Sequence, residues 1–221
     1  MEWFLIIVGI SCFAVLLFVI VARIEKKRTD AIQAKAAELG LSFEKEDRRN
    51  LSDRFSHFKL FGRGHGRRVK NIIEASADDM RIEIFDYRFT TGGGKNSQTH
   101  KQTVIAVDAK SLDVPQFLAR PERLFDGIGS FLGFQDIDFD DDRQFSKSFV
   151  LQGESEEAVR ELFTSEVRQF FISQMPCAIE GNGRTVIYYK PGKRLSPDRL
   201  KDLMGIAFRL SQLFSSEQQD P

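Results

Sequence analysis

The chain has 221 residues, with 32 Lys+Arg balancing 32 Asp+Glu and only two cysteines. That length supports one domain with a full core or two small lobes. Zero net charge argues against a dedicated nucleic-acid binder, and Cys12 and Cys177, far apart and unaccompanied, rule out a disulfide framework.

The first signal is Trp3–Ala22, WFLIIVGISCFAVLLFVIVA, without one charge inside it. At about 1.5 Å of rise per residue, twenty residues make about 30 Å of helix, the thickness of bilayer hydrocarbon. The reading from sequence is a retained transmembrane anchor over 1–22. A cleaved signal peptide needs a basic start, a shorter apolar core and a small-residue cleavage site, and none is present. Arg23, Lys26, Lys27 and Arg28 follow the run, while only Glu2 precedes it. Basic flanks stay on the cytoplasmic side, which predicts an outside N-terminus and a cytoplasmic remainder in a bacterial inner (plasma) membrane. Trp3, Arg23, Lys26, Lys27 and Arg28 are the expected membrane-surface anchors.

Residues 23–40 read as a juxtamembrane basic helix with a weak stripe of Ile24, Ala31, Ile32, Lys35, Ala36 and Leu39, stopped by Gly40. Residues 41–45 alternate as a short strand, and 48–56 suggest a short helix facing Leu51 and Phe55 inward. Val69–Ala75, Met80–Thr91 and Ser97–Asp108 form an expected antiparallel meander, with Gly92–Asn96 as a hairpin tip. Residues 111–119 suggest an edge strand. Pro121 opens an expected helix carrying Leu124, Phe125, Ile128, Phe131 and Leu132 on one face, ended by Gly133.

Phe145–Gln152 alternates as a strand. Helices follow over 154–163 and 164–174, then a hairpin around Gly181–Gly183. Ser196-Pro197 marks a helix start, with Leu200, Leu203, Met204, Ala207, Leu210 and Phe214 as its buried stripe. The expected fold class is α+β: one N-terminal transmembrane helix, then small antiparallel sheets packed with helices over 41–214. A division into lobes 41–133 and 134–214 stays open, and 215–221 reads as a disordered tail.

Charge is unevenly spread. Residues 23–101 hold 18 Lys+Arg against 12 Asp+Glu, and residues 102–221 hold 14 against 19. Within the basic half, Gly62–Arg68 combines glycines, which allow close backbone approach, with cations that can neutralise phosphate. Arg63, Arg67, Arg68, Lys70 and Lys95 are the candidate anion- or lipid-binding residues, set against ordinary surface arginines on a solvated turn. Gly92–Lys95 fails as a P-loop, because Phe89 replaces the first glycine and Asn96 the Ser or Thr. Asp136, Asp138 and Asp140 have the alternation of a calcium loop, but Asp141 and Lys147 stand where Gly and Glu are needed. His57, His65 and His100 lack ligand spacing. Phe85, Tyr87 and Phe89 share a strand face and read as aromatic core. No catalytic residue, metal site or cofactor is indicated.

Phe85–Lys95, Gln102-Thr-Val104, Gln135–Asp140 and Val159–Phe163 together resemble a family of uncharacterised bacterial single-pass membrane proteins, which carry an FDY…TGxGK hairpin and a QDIDFD segment. The likeness covers most of 28–190. It implies an inner-membrane setting and no activity. The functional expectation is a membrane-anchored, non-enzymatic interaction module that binds a protein partner or anionic lipid headgroups through a basic membrane-proximal face, with nucleic acid disfavoured. Two alternatives remain. One is an enzyme acting on a phosphate-bearing substrate through Arg63, Arg67, Arg68 and Lys95. The other is a structural subunit of an envelope complex.

Overall fold

The structure is a computed structural model that describes residues 2–122 and 136–215. The helix expected after Pro121 lies outside these residues, as does nearly all of the expected tail. Helix α1 (Glu2–Glu38) leads into β1 (Ser42–Glu46) and the short helices α2 (Leu51–Arg54) and α3 (Lys59–Gly62). Strands β2 (His65–Ala77), β3 (Met80–Thr91), β4 (Gln98–Ala109) and β5 (Val114–Pro121) follow. Then come α4 (Arg143–Ser148), β6 (Phe149–Gly153), α5 (Glu156–Leu162) and α6 (Ser165–Gln174), and finally β7 (Ala178–Gly183), β8 (Thr185–Tyr189) and α7 (Leu200–Leu213).

All eight strands join one antiparallel sheet in the order β1-β2-β3-β4-β8-β7-β5-β6. This corrects the expectation of small separate sheets. The β4–β8 pairing, Val104 opposite Tyr189 through Asp108 opposite Thr185, joins the two halves of the chain. Nothing local in sequence specifies that long-range pairing. The meander register places Arg68 opposite Arg88 and Arg88 opposite Lys101. Strand β5, expected at an edge, is interior, between β6 and β7.

A second correction concerns the anchor. Among the described residues no helix is long and apolar enough to cross a membrane. The span over 1–22, its orientation and the inner-membrane placement therefore lose their support. Helix α1 extends well beyond the apolar run. It is one continuous helix of 37 residues. Its apolar stretch passes at Ala22 directly into Arg23, Glu25, Lys26, Lys27 and Arg28. Its large apolar side chains nevertheless stand in the open, with Phe13 61%, Phe18 74% and Val21 52% exposed.

The C-terminal half of α1 crosses one face of the sheet. Ile32 and Ala36 are buried there, in a core shared with Ile73, Ile84, Ile105 and Val107 of the strands and Leu203, Ala207 and Leu210 of α7. Ile24 and Ala31, expected to face inward, are exposed. Under α4–α6 the same core becomes aromatic: Phe117, Phe145, Phe149, Phe163, Phe171 and Phe214. On the opposite face, Leu51, Phe55, Phe58, Leu60 and Phe61 of α2–α3 cover Phe85, Tyr87, Phe89, Ile187 and Tyr189. Both faces are thus buried over the centre, which accounts for the apolar runs in β3 and β4.

The strand expected over 145–152 is helix α4 as far as Ser148. Phe145 and Phe149 are four residues apart, a helical as well as a strand-compatible spacing. The Asp142 side chain caps the helix by accepting from the Phe145 N–H at 3.0 Å, and the two rings stack at 5.1 Å.

Candidate anion-binding cleft

Where α1 leaves the sheet, a cleft of about 160 Å³ opens between Val21, Glu25 and Thr29 of the helix and the ends of β2, β3 and β4. Five cations line it, namely Arg68 and Lys70 from β2, Arg88 from β3, Lys101 from β4 and Arg194 from the turn after β8. Two carboxylates, Glu25 and Asp86, accompany them. Strand register explains the convergence. Residues directly opposite on antiparallel strands project to the same face, so Arg68, Arg88 and Lys101 form a row across three strands.

Asp86 anchors the helix. It receives Arg28 Nε and Nη2 at 2.7 Å each, Thr103 Oγ1 at 3.1 Å and Asn71 Nδ2 at 3.0 Å. Asn71 sits at a β-bulge with φ 52°, and its amide oxygen accepts from Thr29 Oγ1 at 2.9 Å. Asn is among the few residues that tolerate this left-handed backbone. The turn carrying Arg194 is fixed to β4: Gly192 N donates to Gln102 Oε1 at 3.1 Å and Leu195 N to Thr103 Oγ1 at 3.0 Å.

Around the cleft the cations differ in their partners. Lys101 Nζ and Arg194 Nη1 both donate to Glu25, at 2.9 and 2.6 Å. Arg194 first, then Lys101, hold the Glu25 carboxyl down at about 2. Arg68 and Lys70 reach Glu46 of the edge strand at 3.2 and 3.0 Å, and Lys70 then Arg68 lower its pKa. The exposed Arg88 side chain makes no hydrogen bond or ion pair with the described residues.

Of the five residues singled out from sequence, Arg68 and Lys70 enter this cleft. Arg67 instead donates to the carbonyls of Gly62, Arg63 and Gly64, stabilising its own turn. Arg63 stands over the Phe89 ring at 5.0 Å, on the opposite face of the sheet. Lys95 belongs to the hairpin tip, outside the cleft lining. Among the expected surface anchors, Trp3, Arg23, Lys26 and Lys27 are exposed, whereas Arg28 turns inward to Asp86. Sequence reasoning missed Arg88, Lys101, Arg194, Glu25 and Asp86. The predicted hairpin register could have found Arg88 and Lys101, but no local signal marks Arg194.

Elsewhere, two carboxylates of the acidic loop are paired with one arginine, and Asp136 accepts from Gln152 Nε2 at 2.6 Å. The nearly buried Arg168 donates to Asp142 at 3.1 Å and Asp141 at 2.7 Å and lies over the Phe139 ring. Among the described residues no group of His, Cys, Asp or Glu is arranged to hold a metal ion. Phe85, Tyr87 and Phe89 are buried, so no base can stack on them.

The cleft thus belongs to an α+β fold built on one eight-stranded antiparallel sheet crossed by a long N-terminal helix. That fold is also seen in the crystal structure of the mycobacterial trehalose monomycolate transport factor A, TtfA. The likeness has a TM-score of 0.60 at 12% identity and covers 84% of this chain and 93% of that one. At that identity the likeness is one of fold. No family model and no curated protein matches the sequence.

Proposed function

We propose that the chain is a non-enzymatic binding module for an anionic lipid. The headgroup sits among Arg68, Lys70, Arg88, Lys101 and Arg194, and the acyl part lies along the neighbouring apolar surface of α1. The observation that carries this reading is the adjacency of the two surfaces. Five cations against two carboxylates line a cleft whose helical wall continues into exposed Phe18 and Val21. Monomeric proteins rarely leave contiguous apolar surface of this kind uncovered, and phosphate is one of the anions that arginine's planar fork and lysine's point charge suit. An amphiphile matches both halves at once. Trehalose monomycolate, after which the protein of similar fold is named, is itself an amphiphile, but the ligand assigned here comes from the cleft.

The test uses the full chain in neutral maltoside micelles doped with either phosphatidylglycerol or phosphatidylcholine, with bound lipid counted by native mass spectrometry. Phosphatidylglycerol is expected to be retained preferentially, and less so as salt is raised. Equal retention of the two lipids would contradict the proposal.

A further inference from the structure

Glu25 is one of the two carboxylates that line the cleft. Its carboxylate bridges Lys101 and Arg194 at 2.9 and 2.6 Å, and the three residues come from α1, β4 and the turn after β8. Neither cation has a second ion-pair partner among the described residues. The cleft is therefore divided. Around Arg88 it is open, with Arg68 and Lys70 turned to Glu46 at the edge. Around Lys101 and Arg194 it is already filled, by an anion belonging to the chain itself.

Resting on the lipid-binding reading, we propose that Lys101 and Arg194 form a headgroup-phosphate subsite that Glu25 occupies while no ligand is bound. A carboxylate and a phosphate offer the same cations the same charge-assisted, fork-like acceptance. An incoming phosphate takes over both donors, and Glu25 turns to solvent, which it already partly reaches with its side chain 38% exposed. Glu25 is ionised throughout the neutral range, both when Arg194 and Lys101 hold its pKa at about 2 and when it is returned to solvent with its ordinary value of 4.5. The competition is therefore between two anions and does not depend on protonation near pH 7.

The consequence is a gain of binding when an acidic residue is removed. In full chain held in neutral maltoside micelles, Glu25→Gln is expected to bind phosphatidylglycerol roughly fivefold to tenfold more tightly than wild type, within the range set by the two ion pairs it loses. The steeper salt dependence of two newly available cations should accompany it. Adding Lys101→Gln to Glu25→Gln should remove most of the gain. Free glycerophosphoglycerol, the deacylated phosphodiester with the same single charge and no acyl chain, should compete poorly; competition as strong as the lipid's own would overturn the assignment to a lipid headgroup. If wild type retains phosphatidylglycerol over phosphatidylcholine but Glu25→Gln binds it no more tightly, the subsite is wrong and the lipid-binding reading stands. If wild type shows no preference, that reading itself fails. Lys101→Gln alone provides an independent check should Glu25→Gln fold poorly, with weaker retention expected and unchanged retention overturning the subsite.

Discussion

Arg28 and Asp86 meet through two hydrogen bonds of 2.7 Å each, across 58 residues of sequence. Their side chains are 13% and 9% exposed, so the pair is shielded from most solvent screening. It fixes where α1 crosses the sheet, and hence where the cleft opens. Breaking one side of such a pair leaves the other charge poorly compensated. Asp86→Ala is therefore expected to cost about 3 kcal/mol of stability in urea unfolding. The double variant with Arg28→Ala should lose clearly less than the sum of the single losses. Strict additivity would show that the pair does not hold the helix.

Glu180 gives a pH dependence of defined sign. Its buried carboxyl accepts from the backbone N–H groups of Lys59 and Leu60 at 2.5 and 3.0 Å and from Tyr189 Oη at 3.1 Å. Burial outweighs these bonds and pushes its pKa up from 4.5 to about 7. The folded chain then holds a proton that the unfolded chain releases, so this contribution is fully present below 4.5 and is lost as pH rises through 7. Glu25 behaves oppositely: its contribution is present above 4.5 and is lost as pH falls through about 2. Melting temperatures of Glu180→Gln should accordingly vary less between pH 5 and 7 than those of wild type, roughly the window between the two Glu180 values. An unchanged pH profile would contradict the assignment.

Gly181 lies in β7 against the Phe117 ring, and a methyl group there would overlap the ring carbons. Phe117 is itself packed on Phe163 and Phe214, at centroid distances of 5.1 and 5.7 Å, so it has little room to yield. Gly181→Ala should destabilise the chain by about 2 kcal/mol, the usual scale of overpacking. Thermal unfolding within a degree of wild type would show that the ring can move aside.

The two thiols should separate kinetically. Cys12 is exposed on α1, whereas Cys177 is buried, with its thiol pushed up to about 12 by loss of solvent. A maleimide at neutral pH should modify one thiol per folded chain, at Cys12, and both in denaturant, since the thiolate is the reactive form. Rapid labelling of Cys177 in the folded state would mean that the core under α6 opens readily.

Much of the sheet was legible because it is local. The β3–β4 hairpin and the exit of α1 at Gly40, with its φ of 67°, follow from alternation and turn chemistry. The β4–β8 joint was not legible, since it brings together residues 85 positions apart at Val104 and Tyr189. The same limit governs the cleft. Arg68 and Lys70 stand out within a basic Gly/Arg run, but Arg67 in that run serves its own turn. Arg194 reaches the site only because Gly192 and Leu195 are tied to β4. At α1 the apolar run reads as a span, and the described part of the helix does not carry that reading.

The most direct measurement concerns Arg68 and Arg88, which face each other across β2 and β3 and are both exposed. Replacing both with alanine should leave the fold intact, because neither side chain is buried in it. In neutral maltoside micelles the double variant is expected to bind phosphatidylglycerol roughly tenfold more weakly than wild type, the scale of two charge-assisted contacts. Its retention of phosphatidylcholine should be unchanged. Phosphatidylglycerol binding equal to that of wild type would contradict the assignment of this cleft.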